Sequence, residues 1–244
     1  MTRPLLIIKT GTTLQGLGER RGDFEQWIAD SIADDSVQIL VREVWRGEPL
    51  PAPGEILAAI ITGSPAMVTD QEPWSEYTAE WLGTAVQSGL PTFGICYGHQ
   101  LLAHALGGRV DYHPRGREIG TVEICLNKSV AGDQLFGEYS GCFPVHVSHS
   151  QTVIELPAAA VVLAANDFEP NHIVRYSQLC WGVQYHPEFD EDIMRAYIEG
   201  RQEALLSEGL DPQFLLEHIV PAEQAETVLR RFLAVARAAA GQSA

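Results

Sequence analysis

Pro91-Thr92-Phe93-Gly94-Ile95-Cys96-Tyr97-Gly98-His99-Gln100 runs directly into Leu101-Leu102-Ala103-His104-Ala105-Leu106-Gly107-Gly108. A short apolar run ends in Gly-x-Cys-x-Gly and passes at once into residues with helical apolar spacing, so the segment reads as strand, sharp turn and helix. That is the geometry of a nucleophile elbow. Glycines two residues to either side of Cys96 suit a strained turn in which a Cβ would strike the neighbouring strand and helix. The helix that begins here points free N–H groups and the positive end of its dipole at the sulfur, which favours thiolate over thiol. Taken alone, the pentapeptide would equally suit a buried cysteine in a tight turn.

A second stretch, Trp181-Gly182-Val183-Gln184-Tyr185-His186-Pro187-Glu188-Phe189, changes the balance. A thiolate that attacks an amide needs a base to manage its proton and later to protonate the leaving amine, and histidine titrates in the right range. His186 fits that need, and Glu188 is placed to fix its tautomer and steady the imidazolium. An isolated histidine after a strand is ordinarily just a polar strand end. Here the elbow, the histidine and the carboxylate occur together in the order Cys96, His186, Glu188.

Gly94-Ile95-Cys96-Tyr97-Gly98-His99-Gln100 with His186-Pro187-Glu188 resembles the class I (triad) glutamine amidotransferase family, most nearly the glutaminase domain of GMP synthetase and its stand-alone relatives. The resemblance runs from about residue 5 to 200. It implies that Cys96 attacks the side-chain amide of glutamine, releases ammonia and leaves a γ-glutamyl thioester. Water then hydrolyses the thioester, with His186 as the shared acid and base and Glu188 as its orienting partner. It also implies that Thr62-Gly63-Ser64-Pro65 is the oxyanion strand, Ser64 standing where the family has a second glycine. The N–H groups of Ser64, Gly63 and Tyr97 would then form the hole. Gln100 matches the glutamine that holds the amino-acid end of the substrate. Ser148-His149-Ser150-Gln151 matches the family's Ser-His-Gly-Asp, whose backbone holds the α-carboxylate and α-amino groups, with Ser150 and Gln151 replacing Gly and Asp. The lost acid leaves room for a γ-glutamyl substrate other than glutamine, as in a γ-glutamyl peptidase. A non-catalytic binding or regulatory subunit with the same fold is the remaining alternative.

Independently of the resemblance, apolar strands separated by amphipathic helices argue an α/β fold with a mostly parallel sheet covered by helices on both faces, and the resemblance implies that this sheet is doubly wound and flavodoxin-like. Strands are expected at Leu5–Lys9, Val37–Val44, Ile56–Thr62, Glu118–Leu126, Phe143 onward, and Leu179–Tyr185. Helices are expected from Phe24, from Asp70-Gln71-Glu72-Pro73 to about Ser88, and after Asp190. The third strand ends at Gly63, and the carboxyl ends of strands line the ligand crevice in such sheets. Gly11, Gly16 and Gly18 read as a flexible loop without a phosphate-binding pattern. Trp74, Tyr77 and Trp81 read as part of a buried helix face. Residues 1–200 are expected to form the amidotransferase-like domain and 201–244 a helical extension packed on it.

The 244 residues include 32 Asp and Glu against 16 Lys and Arg, a formal charge of −16. That sign repels phosphate backbones and anionic lipid, which argues against nucleic-acid and membrane partners. No apolar run reaches membrane-spanning length and no secretory leader is visible, so a cytoplasmic protein is expected. Cys125, Cys142 and Cys180 are then expected to be free, buried thiols. His146 and His149 lack a carboxylate or cysteine cluster at ligand spacing, so no metal and no cofactor are expected. The expected partners are a small-molecule substrate and, because there is no room for an ATP-dependent synthetase domain, a possible separate synthase subunit.

Overall fold

Four successive apolar residues, Leu5-Leu6-Ile7-Ile8, suit a strand covered on both faces. In the computed structural model, which describes residues 3–242, they lie fully buried in the strand β1 (Leu5–Lys9). Side chains alternate across a strand. Accordingly Leu5 and Ile7 enter one core, with Ile28, Phe93 and Phe232, while Leu6 and Ile8 enter the other, with Leu82, Leu101 and Leu102. Each such side chain contributes about 1.5–3 kcal/mol when buried. The ends of the expected 1–200 and 201–244 units, residues 1, 2, 243 and 244, lie outside the described residues.

The chain continues through α1 (Gln15–Arg21), α2 (Phe24–Ile32), β2 (Ile39–Glu43), β3 (Ala58–Ile61), α3 (Pro73–Gln87), β4 (Thr92–Ile95) and α4 (Tyr97–Ala105). Then come β5 (Arg109–Tyr112), β6 (Glu118–Leu126), β7 (Cys142–His149), β8 (Gln151–Glu155), β9 (Val161–Ala165), β10 (Ile173–Ser177) and β11 (Cys180–Val183). The last elements are α5 (Glu191–Glu199), α6 (Gln202–Ser207), α7 (Pro212–Glu217), α8 (Glu223–Glu226) and α9 (Val228–Gln242). The main sheet has the order β2-β1-β3-β4-β11-β10-β9-β6-β7. Strands β2, β1, β3, β4 and β11 run parallel, and β10, β9, β6 and β7 extend the sheet antiparallel. Helices cover both faces, the doubly wound arrangement expected. Phe232 of α9 lies 5.4 Å from Phe93 between ring centroids, so the last helix belongs to the same core as the central strand.

Several local expectations are corrected. The loop after β1 contains the helix α1, and its Gly11 marks a close approach: a Cβ there would lie 2.6 Å from Pro65. The buried face of α3 is Ser75, Thr78, Ala79, Leu82 and Ala85, while Tyr77 is exposed, because small residues let α3 sit tightly on the core. Cys125 and Cys142 are not free buried thiols but an exposed disulfide. The antiparallel register of β6 and β7 sets the two residues opposite each other, Cα to Cα 4.0 Å, and no spacing rule within the sequence shows that pairing. Cys180 is free and buried, as expected.

Burial pushes the imidazoles of His99 and His146 down from 6.5, to about 3 and about 4 respectively. Both are neutral when folded, so between pH 6.5 and about 4 the unfolded chain binds more protons than the folded one. Their contribution to stability is present above pH 6.5 and is lost as the pH falls, each group adding at most about 1.4 kcal/mol per pH unit. Urea unfolding from pH 7 to 5 is expected to show falling stability, and His146→Gln a shallower fall. An unchanged slope in that variant would exclude His146 as a source.

Candidate active site

The parallel strands β3, β4 and β11 end at one edge of the sheet, and each hands a candidate residue to the same crevice. Register pairs Ile61 with Gly94 and Val183 with Ile95, so Gly63-Ser64, Cys96 and His186 leave the sheet side by side. Gly94 and Gly98 are required by contact. A Cβ on Gly94 would lie 2.5 Å from the Gly98 carbonyl, and one on Gly98 would lie 2.5 Å from the Ile61 carbonyl oxygen. Between them Cys96 takes φ 50° and ψ −100°, a strained conformation for a residue with a side chain. Its N–H donates to Val183 O at 2.8 Å and its carbonyl accepts from the Gln100 N–H at 3.1 Å, bonds that hold the turn.

Cys96 and His186 line one cavity, and Glu188 is bonded to His186. The His186 ring lies close enough to Cys96 for the charge of one to act on the other. On its far side His186 Nδ1 lies 2.8 Å from Glu188 Oε1. A carboxylate only accepts, so Nδ1 carries the proton and Nε2 is left for the thiol. The second Glu188 oxygen is buried without a hydrogen-bond partner, which concentrates that charge on the imidazole. Phe189 stacks on the ring with centroids 4.0 Å apart, and a Cβ on Gly63 would lie 2.7 Å from His186 Cε1. The imidazole is therefore covered on one face by Phe189 and closed off at its Cε1 edge by Gly63. Burial alone would raise the Cys96 thiol, but the charge and hydrogen bond of His186, aided by His149, bring it below its ordinary value. Burial works against the His186 cation too, yet Glu188 and the Cys96 sulfur hold it at about 10.

Ser64 and Tyr97 border the cavity over Cys96. Tyr97 opens α4, so its N–H has no partner within the helix. Ser64 Oγ donates to Thr10 O at 2.7 Å and accepts from the Ala66 N–H at 3.1 Å, while Thr10 Oγ1 donates to Gly63 O at 2.9 Å. Neither Gly63 nor Ser64 has a positive φ, so serine fits this turn without backbone strain.

Gln100, Ser148, His149 and Ser150 line the adjoining part of the cavity. Gln100 Nε2 donates to Gln151 O at 2.8 Å and to Gln184 Oε1 at 2.9 Å. The Ser148 carbonyl lies 3.9 Å from the Cys96 sulfur, and its hydroxyl is buried with no partner. His149 is buried between the Gln151 carbonyl and Glu118, each 2.9 Å from a ring nitrogen. Both acceptors ask for an N–H, and Glu118 raises the imidazole despite the opposing effect of burial. The Gln151 side chain, where an acid was expected from the resemblance, accepts from the Val68 N–H at 3.0 Å and donates to Thr69 Oγ1 at 2.6 Å. It thereby ties the segment after β3 to β8.

Sequence reasoning missed four contributors. Gln184 donates to the Cys96 sulfur at 3.5 Å, and its position two residues before His186 was a legible signal in an alternating strand. Glu118 holds His149 from β6, across the sheet. Arg117 and Arg201 flank the cavity, and neither belongs to a motif that points there.

The family model for glutamine amidotransferase class-I matches residues 22–199. A GMP synthase [glutamine-hydrolyzing] from Thermomicrobium roseum is 39% identical over 129 residues, which is 53% of this chain and 23% of that protein. Its counterpart from Corynebacterium glutamicum is 30% identical over 191 residues, 76% of this chain and 32% of that protein. The match thus spans a third or less of these relatives' length. Among solved structures, a glutamine amidotransferase from Methylobacillus flagellatus superposes with TM-score 0.77 at 24% identity, covering 96% of this chain and 94% of that one. One from Thermotoga maritima gives TM-score 0.71 at 23% identity, with 96% and 97% covered. At these identities the likeness is one of fold.

Because the thiol is lowered from 9.0, the midpoint of the pH dependence of Cys96 alkylation by iodoacetamide is expected to lie below that of an ordinary thiol. His186→Ala is expected to move that midpoint back up, and a wild-type midpoint at or above 9.0 would contradict the ion pair.

Proposed function

The chain belongs to the class I glutamine amidotransferase family, and on that premise we propose that it is a cysteine amidase acting on the γ-glutamyl amide of glutamine or a related γ-glutamyl compound. The observation that carries this reading is that Cys96 shares a cavity with His186, whose Nδ1 is bonded to the buried Glu188 carboxylate, an arrangement that lowers the thiol and raises the imidazole.

In this reading the Cys96 thiolate attacks the γ-carbonyl carbon and the carbonyl oxygen becomes an oxyanion. The N–H groups of Ser64, Gly63 and Tyr97 receive that charge, aligned before the reaction and shielded from water. His186 gives its proton to the departing nitrogen, the C–N bond breaks, and a γ-glutamyl thioester remains on the sulfur. Water then gives a proton back to His186 and adds to the thioester carbon. Cleavage of the C–S bond releases glutamate and returns the thiolate. Glu188 stays ionised and orients the ring throughout. Gln100 and the Ser148-His149-Ser150 backbone hold the amino-acid end. The Gln100 amide nitrogen is already engaged, so its oxygen is the group free to accept from the α-amino nitrogen.

Residues 1–200 serve as the amidase unit and 201–244 as an extension built onto it. A cytoplasmic location is part of this reading. Among the described residues no helix is long and apolar enough to cross a membrane. Relatives named as GMP synthases support a separate synthase as recipient of the ammonia. A γ-glutamyl peptidase is favoured over glutaminase by one feature, the replacement of the acid expected near the α-amino group by Gln151, whose side chain is committed elsewhere.

Cys96→Ala is expected to lower release of glutamate from glutamine or γ-glutamyl dipeptides by at least about a thousandfold, as loss of an essential nucleophile does. Diazo-oxo-norleucine is expected to add to the wild type at Cys96 alone, read by intact mass. Unchanged turnover in the variant would remove the thioester from consideration, and the ratio of ammonia to amino acid released separates the two substrate classes.

A further inference from the structure

The crevice over Cys96 has two compartments. One, beside Tyr97 and Gln100, is bounded by residues 148–151. The other, a cavity of about 200 Å³, lies on the His186 side and is lined by Thr12, Thr13, Leu14, Phe24 and Tyr197. A leaving amine must sit next to the group that protonates it, so this second compartment is where the leaving group goes. Ammonia needs little more than the space of one water, roughly 30 Å³. The compartment is several times larger than glutamine hydrolysis requires.

Arg201 borders both compartments. Its guanidinium lies over the Tyr197 ring, 4.7 Å from the centroid, and its Nη1 is buried with no hydrogen-bond partner. Among the described residues it forms no ion pair, whereas Arg117 is engaged by both oxygens of Glu208 at 2.9 and 3.0 Å. Among the described residues no acidic side chain lines the His186-side compartment, although the chain as a whole carries a charge of −16. A largely buried, unpaired cation is costly unless an anion joins it.

Resting on the amidase reading above, we infer that Arg201 is a specificity residue that binds a carboxylate on the leaving group, so that the substrate class is a γ-glutamyl amino acid or peptide. The anion would enter with the substrate and leave with the amine product. A guanidinium meets a carboxylate with two parallel N–H donors, so charge and shape are both selected.

Cys96→Ala, which retains the crevice but does not turn over, provides the test, with γ-glutamylglycine and its neutral counterpart γ-glutamylglycinamide as probes in calorimetry. It is expected to bind γ-glutamylglycine about 10- to 100-fold more tightly, the range of one charge-assisted hydrogen-bonded pair. Adding Arg201→Gln is expected to abolish that preference while leaving glycinamide binding within about threefold, and Arg201→Lys to restore part of it. Equal binding of the two probes, no binding of either at millimolar concentration, or an equal loss for both in Arg201→Gln overturns the inference. Acylation of Cys96 by each probe is followed separately by intact mass. Preference without acylation would remove the thioester reading and keep the Arg201 subsite, and acylation without preference would do the reverse.

Discussion

The close approach of β3, β4 and the start of α4 is the constraint on which the rest depends. Three backbones meet where only two glycines, Gly94 and Gly98, have no Cβ to obstruct them. Moving the helix away would relieve the crowding but would also draw the Tyr97 N–H away from the β3 turn, separating the two sides of the proposed oxyanion hole. The crowding instead forces the strain into Cys96, at φ 50°, which on general grounds costs about 1–3 kcal/mol. The strain is sustained by the sheet itself, since the Cys96 N–H continues the ladder to β11. The strand that holds the Cys96 N–H is also the one that leads on to His186.

Charge in the crevice is arranged in layers. Glu188 lies behind His186 and Glu118 lies behind His149, so two buried carboxylates support two imidazoles that both act on one sulfur. Each pair is formed across low dielectric, where an unpartnered charge would be expensive. Both imidazoles act on Cys96 in the same sense, lowering its thiol. Arg201 at the rim adds to this field, and the acidic exterior does not reach in because no carboxylate among the described residues lines the His186-side compartment. Local sign, set by a few buried groups, overrides the net charge of the whole chain.

What could be read from the sequence was what depends on neighbours within about ten residues. The elbow, His-Pro-Glu, the Asp190 cap and the apolar strands are local patterns with a local physical cause, and the fold and the meeting of Cys96 with His186 followed from them. The disulfide, the Glu118–His149 pair and the two-stranded β5–β8 ladder depend on register between distant strands, which no single stretch records. Arg201 escaped notice for another reason. It lies just past α5, in a segment whose pattern speaks only of helices, and its approach to the cavity is set by how α5 and α6 pack beneath Phe189. Of the aromatics of α3, Trp74 and Trp81 pack against the core as expected and only Tyr77 misled, because a helix dense in small residues can bury those and leave a large one exposed.

Ser64 shows how one replacement can be absorbed. A glycine at such a turn is needed when φ must be positive or when a neighbour leaves no room, and neither condition holds here. The hydroxyl instead bridges Thr10 O and the Ala66 N–H, while Thr10 fastens Gly63 from the other side. Gly11 completes the arrangement, since only a residue without a Cβ lets the β1 loop come against Pro65. The turn is thus pinned at 63, 64 and 66 by the chain's own hydrogen bonds. A pinned turn has less freedom to lose when an oxyanion forms beside it, because the ordering of its peptide groups has already been achieved in folding. The serine therefore exchanges the backbone freedom of glycine for a fixed orientation of the very N–H groups that the proposed chemistry would use.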